Sequence, residues 1–258
     1  MKIGFYDSGL GGIKTLKDII NMGLKGEIYF LADTKNSPYG TKSSEEVKSL
    51  AKGNVKKLVD LGCEIIVVAC NTATSVAIED LRKEFLNIDI IGTEPAIKLA
   101  VDEHLHKNIL ILATTITAKG EKLNKLIKKL NPDVKVEILP ADRLVKLIED
   151  ENFLNNQKEV NSYLEELFSQ YDLDTFSHII LGCTHFPIVK ENIEKIVKEN
   201  NIKVIDGNNG IGKNLLGKIE TKGKLEEENI IHIVTTRKSI AFEKRLKEIL
   251  QDIKYEIM

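Results

Sequence analysis

Short apolar runs alternate with lysine- and glutamate-rich amphipathic stretches along almost the whole chain, and this alternation restricts the fold more than any other feature. Runs at 2–6, 27–32, 64–69, 89–92, 108–113, 135–139, 178–181, 203–205 and 229–234 are dominated by Ile, Val and Leu. They read as strands buried on both faces, as in parallel sheets. Between them, Ile188, Val189, Ile193, Ile196 and Val197 share one helical face behind Pro187, and Phe242, Leu246 and Ile249 repeat at i, i+4 and i+7. Strands alternating with helices predict an α/β protein of the doubly wound kind. At 258 residues there is room for one large domain or two small ones, each with its own core.

No Pro/Gly-rich linker marks a boundary, but the chain echoes itself. Ile65-Ile66-Val67-Val68-Ala69-Cys70-Asn71-Thr72 resembles His178-Ile179-Ile180-Leu181-Gly182-Cys183-Thr184-His185, an apolar strand ending in a small residue, a cysteine and polar residues. The two copies are too far apart for one βα unit. They predict two similar domains, each placing a thiol at a strand's C-terminal end, where open α/β sheets bind ligands.

Composition excludes several partners. Lys+Arg 37 against Asp+Glu 39 gives a net charge of −2 with no long run of either sign, so nothing marks a nucleic-acid or acidic-lipid surface. The apolar stretch before Asp7 is too short for a signal peptide, and no stretch approaches the roughly 18 apolar residues of a membrane span. A cytoplasmic protein with a small-molecule substrate is expected, its cysteines Cys63, Cys70 and Cys183 being free thiols.

The first loop, Asp7-Ser8-Gly9-Leu10-Gly11-Gly12, follows a strand and opens a helix, yet it fails the G-x-G-x-x-G dinucleotide pattern because Lys14 stands at the third glycine position. A Walker A sequence and a G-x-S-x-G elbow are also absent. Cys183-x-His185 offers two metal ligands without a companion pair, and His104 and His106 fall on a charged, solvated face, so no metal is expected. Cys63 reads as a small buried hydrophobe. Cys70 and Cys183, at helix starts, should be exposed thiols of lowered pKa. Two like groups facing one bound molecule suit inversion of a carbon centre, one removing a proton from one face while the other returns a proton to the opposite face.

In this order and spacing, Asp7-Ser8-Gly9-Leu10-Gly11-Gly12, Ser37-Pro38-Tyr39-Gly40, Ala69-Cys70-Asn71-Thr72-Ala73-Thr74, Gly92-Thr93-Glu94-Pro95-Ala96 and Leu181-Gly182-Cys183-Thr184-His185-Phe186-Pro187 resemble the motifs of the aspartate/glutamate racemase superfamily. The Asp-Ser-Gly-x-Gly-Gly start and the Thr-His after the second cysteine are similar to its glutamate racemase branch. The resemblance implies two doubly wound domains, 1–95 with 208–258 and 96–207, with the active site in the cleft between them. It implies cofactor-independent racemisation of glutamate, supplying D-glutamate for peptidoglycan, by a cytoplasmic enzyme that is often a homodimer. Cys70 and Cys183 match the catalytic thiols, and Asp7 and His185 match the residues that assist them. Ser8, Tyr39, Gly40, Asn71, Thr72 and Thr184 match substrate-binding positions together with Asp7 and His185, and Glu149 matches a further acidic residue near the site. One segment departs from the pattern: after Thr114-x-x-Thr117, Gly120 and Leu123 stand where relatives often carry Ser and Tyr.

Aspartate racemisation, or broader acidic amino-acid racemisation, is the alternative, since one methylene is worth only about 1–3 kcal/mol in a pocket. A nucleotide-binding or regulatory protein that kept the fold without the chemistry is a third reading, disfavoured by the presence of both cysteines.

Overall fold

The computed structural model describes residues 1–103, 106–130, 132–223 and 228–258. Among the described residues, ten strands form two sheets. In chain order they are β1 (Lys2–Asp7), β2 (Gly26–Ala32), β3 (Ile65–Val68), β4 (Asp89–Gly92), β5 (Asn108–Ala113), β6 (Val136–Pro140), β7 (Phe176–Leu181), β8 (Lys203–Asp206), β9 (Asn229–Thr235) and β10 (Glu256–Ile257). Each expected run is a strand. The short β10 is an addition that the sequence did not signal.

The six-stranded sheet has the order β10-β9-β2-β1-β3-β4 and the four-stranded sheet the order β6-β5-β7-β8. All pairings are parallel. Parallel neighbours need crossover connections, and helices supply them on both faces of each sheet. Successive side chains of a strand point to opposite faces, so Ile3 and Phe5 join Leu16, Leu215 and Leu246 in one core layer. Tyr6 packs on the other face with Val55, Leu58 and Ile78. The four-stranded sheet repeats the plan. Leu110, Leu112 and Ile179 meet Leu144, Ile148 and Leu164 on one side, and Ile109, Ile111 and Ile180 meet Ile97 and Leu123 on the other. Each of these fully buried aliphatic or aromatic side chains contributes about 1.5–3 kcal/mol relative to exposure.

The chain leaves the first sheet through the helix Ile97–Glu103 and returns through the helix Asn208–Thr221, which leads into β9 beside β2. Asn208 fastens that return: Thr15 donates to its Oδ1 at 2.9 Å, and its amide donates to Asp18 at 2.8 Å. In each sheet the strand order reverses beside a central strand. The connections from β1 and β3 run to opposite faces of the first sheet, as do those from β5 and β7 in the second. Loops that diverge in this way leave a crevice at the strand ends. Asp7 and Cys70 end up at one such crevice, Thr114 and Cys183 at the other.

Candidate active site

Cys70 is the N-cap of the helix Asn71–Glu84, and its Sγ accepts the backbone N–H of Ala73 at 3.5 Å. It donates to Ser8 Oγ at 3.5 Å. Cys183 follows β7 but does not cap an α-helix. Pro187 lies in a short 3₁₀ turn, Phe186–Val189, and the helix begins only at Lys190. The place of a helix dipole is taken by His185, whose Nδ1 lies 3.6 Å from Cys183 Sγ.

The expected exposure of the two thiols is not found. Cys70 is 3% exposed and Cys183 is 6% exposed. Burial, followed by the charge of Asp7, pushes the Cys70 thiol up to about 12, against the lowered value expected for it. The sequence showed the favourable helix start but not how completely the facing loops exclude water, and desolvation outweighs the dipole. Cys63 is buried under the first sheet, as expected of a structural thiol, and burial holds it at about 12 as well.

Asp7 is fully buried. Its Oδ2 accepts from the N–H groups of Gly9 and Gly12 at 3.1 and 3.0 Å. Its Oδ1 accepts the Thr184 hydroxyl at 3.2 Å, joining the loop after β1 to the loop after β7. Burial raises its pKa, although His185 and the two N–H groups pull it back. The glycine-rich first loop therefore coordinates its own carboxylate instead of a nucleotide phosphate.

His185 is 2% exposed and donates through Nε2 to Glu149 Oε1 at 2.5 Å. Burial works against its charge, but hydrogen bonds to Cys183 and Glu149 raise its pKa well above the usual histidine value. The same carboxylate accepts the Leu10 N–H at 3.0 Å. Burial works against the Glu149 carboxylate too, yet His185, the Leu10 N–H and Arg245 together hold it below the ordinary glutamate value. Cys183, His185 and Glu149 thus form a chain that ends on the loop carrying Asp7.

The expected substrate donors divide into committed and free groups. The Thr184 hydroxyl proton is given to Asp7. Thr72 Oγ1 shares a hydrogen bond with Thr114 Oγ1 at 3.0 Å, and Thr114 donates on to Thr117 at 3.0 Å. Ser8 accepts from Cys70, and among the described residues its own hydroxyl proton has no acceptor. Asn71 is buried beside a small cavity that Lys122 also lines, Lys122 being ion-paired with Glu94 at 2.9 Å. Tyr39 is buried in the same cluster as Cys70, and its hydroxyl donates to Asp33 at 2.5 Å and accepts from Tyr6 at 2.8 Å. It braces the loop. Gly40 presents bare backbone: a Cβ there would stand 2.5 Å from Asp142 Oδ1 and 3.0 Å from Thr114 Cβ. At the departing segment, Gly120 abuts Ser75 Oγ, which a Cβ would approach to 2.4 Å, and buried Leu123 lines the cavity beside Asn71.

Among the described residues, no three His, Cys, Asp or Glu side chains come together as a metal site. His104 lies outside the described residues, and His106 is exposed with Asp133 3.6 Å away. No described helix is long and apolar enough to cross a membrane.

Two sheets, each with a thiol beside its strand-order reversal, linked through Asp7 and Thr184, have the architecture of a two-domain racemase. The chain belongs to the Asp/Glu/Hydantoin racemase family, which matches residues 21–209. Within that family it is similar to glutamate racemases. It is 38% identical to that of Clostridium botulinum (strain Alaska E43 / Type E3) over 252 residues, covering 95% of this chain and 96% of the relative. It is 42% identical to that of Campylobacter concisus (strain 13826) over 224 residues, covering 86% and 84%. The crystal structure of the Francisella tularensis glutamate racemase in complex with D-glutamate superposes with a TM-score of 0.85 at 26% identity, covering 100% of this chain and 97% of that one. The enzyme from Aquifex pyrophilus superposes with a TM-score of 0.77 at 29% identity, covering 100% and 98%.

Proposed function

We propose that the chain is a glutamate racemase that interconverts L- and D-glutamate by proton exchange at Cα between two thiols. The observation that carries this reading is the placement of Cys70 and Cys183 on separate sheets, joined by the Asp7–Thr184 hydrogen bond. The bound D-glutamate of the Francisella enzyme supports the substrate.

In the resting site Cys70 is held as the neutral thiol by burial and by Asp7. It enters as the acid. Cys183, with His185 Nδ1 as its partner, enters as the base. The Cα–H bond breaks to the Cys183 sulfur, the electron pair passes to Cα and its carboxylate, and the Cys70 S–H bond gives its proton to the opposite face. The reverse direction exchanges the roles. Asp7 serves proton return at Cys70, and His185 with Glu149 does so at Cys183. Ser8, Asn71 and the N–H groups at the helix start after Cys70 bind the substrate carboxylates. Thr72 and Thr184, whose hydroxyls are bonded to Thr114 and Asp7, also line the substrate, and the backbone of Tyr39 and Gly40 closes the crevice. Asp7 and His185 also line the substrate. Because a lysine beside the thiols would favour two thiolates and leave no acid, neutral donors suit the chemistry.

The reading includes domains of 1–95 with 208–258 and 96–207, with the substrate in the cleft. It also includes a homodimeric enzyme of the cytoplasm that supplies D-glutamate for peptidoglycan and works without a cofactor.

The test is racemisation of L-glutamate, and separately of L-aspartate, in D₂O. Early D-glutamate should carry deuterium at Cα, and Cys70→Ala and Cys183→Ala should each abolish both directions. Full activity in either variant would remove the two-thiol mechanism. Faster turnover of aspartate than of glutamate would reassign the substrate.

A further inference from the structure

The helix Ile240–Leu250 buries Phe242, Leu246 and Leu250 in the core of the six-stranded sheet. Arg245 sits in the run Phe-Glu-Lys-Arg-Leu-Lys-Glu, where an arginine ordinarily lies on the solvated face. Here it is 4% exposed. Its guanidinium leaves its own sheet and meets elements packed on the other. Nη1 donates to the carbonyl of Ile148 at 3.1 Å, and the group stacks 4.0 Å from the centre of the Phe153 ring. The nearest carboxylate on its own helix is Glu248, at 3.8 Å from Nε.

Ile148 lies in the last turn of the helix Asp142–Glu149, where carbonyls lack an intrahelical acceptor role and a cation is favoured. The next residue is Glu149, whose carboxylate receives the Leu10 N–H and His185 Nε2. A buried guanidinium is costly, and an apolar side chain of similar length would fill the same space more cheaply. What Arg245 adds is a donor fixing the helix end from which the Glu149 side chain reaches His185.

We propose that Arg245 is a positioning residue for the Cys183 side of the site, acting through the Ile148 carbonyl, Glu149 and His185. It rests on the racemase reading, in which His185 serves Cys183. The groups facing the Glu149–His185 pair are Asp7, Cys183 and Arg245. Asp150, Glu151 and Arg237 stand at the rim, with Glu248 behind Arg245.

The test replaces the guanidinium in the full chain by Arg245→Met, which keeps the packing on Phe153, and by Arg245→Gln. The first readout is the His185 ring titration, followed by ¹⁵N NMR without substrate. Its direction separates position from charge. Deleting a nearby positive charge alone would raise the His185 pKa, whereas loosening Glu149 from His185 lowers it. Positioning therefore predicts a lower midpoint in whichever variant folds. An unchanged or raised midpoint in a folded variant overturns the proposal. The second readout is kinetic: kcat should fall about 10- to 100-fold, as for misplacement of a reacting group by up to an ångström, while KM stays within about threefold. A fall confined to KM would also overturn it. Because the titration needs no turnover, wild-type protein inactive on glutamate would strike the functional reading and leave the titration result standing.

Discussion

Gly11→Ala tests whether the first loop, which carries Asp7, must be in backbone contact with the loop that carries Cys183. Gly11 is the first residue of the helix Gly11–Asn21, where alanine is locally preferred by about 0.8–1 kcal/mol. Local preference thus favours the substitution. The obstacle comes from the other sheet: a Cβ at this position would stand 2.5 Å from Thr184 Oγ1 and 2.6 Å from both the Thr184 carbonyl carbon and the His185 nitrogen. Two of these are backbone atoms, which cannot swing away as a side-chain tip does. To bring 2.6 Å to the 3.4 Å of ordinary contact, the Cys183-Thr184-His185 loop must retreat by about 0.8 Å. The same retreat stretches the 3.2 Å Thr184–Asp7 hydrogen bond to about 4 Å, beyond bonding reach. It also draws Cys183 away from the first sheet. A misplacement near 1 Å costs about 100-fold in rate, or about 2.7 kcal/mol. Circular dichroism of L-to-D and D-to-L conversion should show kcat/KM reduced by about that factor in both directions. Gly53→Ala provides the control. Position 53 is exposed within the helix Ser44–Asp60 with nothing within 4 Å of its Cβ, so the change should add about 0.5–1 kcal/mol of stability and leave activity alone. If Gly11→Ala kept kcat/KM within about threefold of wild type, close loop contact would not be what aligns the thiols.

Asp7→Asn should lower kcat while leaving the protein as stable as wild type or more so at pH 7–8. Burial raises the Asp7 pKa above its unfolded value, so the folded state binds that proton more tightly. The resulting stability is complete below the ordinary aspartate value and lost as pH rises through the raised one. Thermal melts at pH 4 and pH 8 check this, and a lower melting temperature for the variant at pH 8 would show that the charged form is stabilising. Cys63→Ala should cost about 1 kcal/mol by urea unfolding through the small cavity it leaves. It should leave kcat/KM unaltered, because Cys63 faces Val55, Leu58 and Ile66 rather than the crevice; loss of activity at full stability would give the third thiol a chemical role.

The strands were legible because a parallel strand covered on both faces has to be apolar at nearly every position, and Ile65-Ile66-Val67-Val68 is one that can be little else. β10 was not legible because Glu256–Ile257 is a two-residue edge pairing held by register with His232 and Ile233. Too few residues are buried there to impose a pattern. The thiol pair was legible for a chemical reason: each cysteine stands at the abrupt end of an apolar run, a position that sequence shows directly. The ionisation of Cys70 was not, because desolvation depends on what covers the site, and the loops covering Cys70 come from distant parts of the chain. The same distinction explains Tyr39 and Arg245. A motif identifies Tyr39 by its neighbours in sequence, while its hydroxyl is claimed by Asp33 and Tyr6. Arg245 lies among charged residues on an amphipathic helix, and nothing in that run distinguishes the arginine that turns inward. The local setting of a residue could be read from the chain, whereas the contacts by which residues join the two sheets could not. In this protein the Asp7–Thr184 hydrogen bond, the contact of Gly11 with Thr184 and His185, and the reach of Arg245 to Ile148 are all of the second kind. In the proposed mechanism Cys70 and Cys183 supply the chemical groups, and their alignment on one substrate carbon depends on these contacts between sheets.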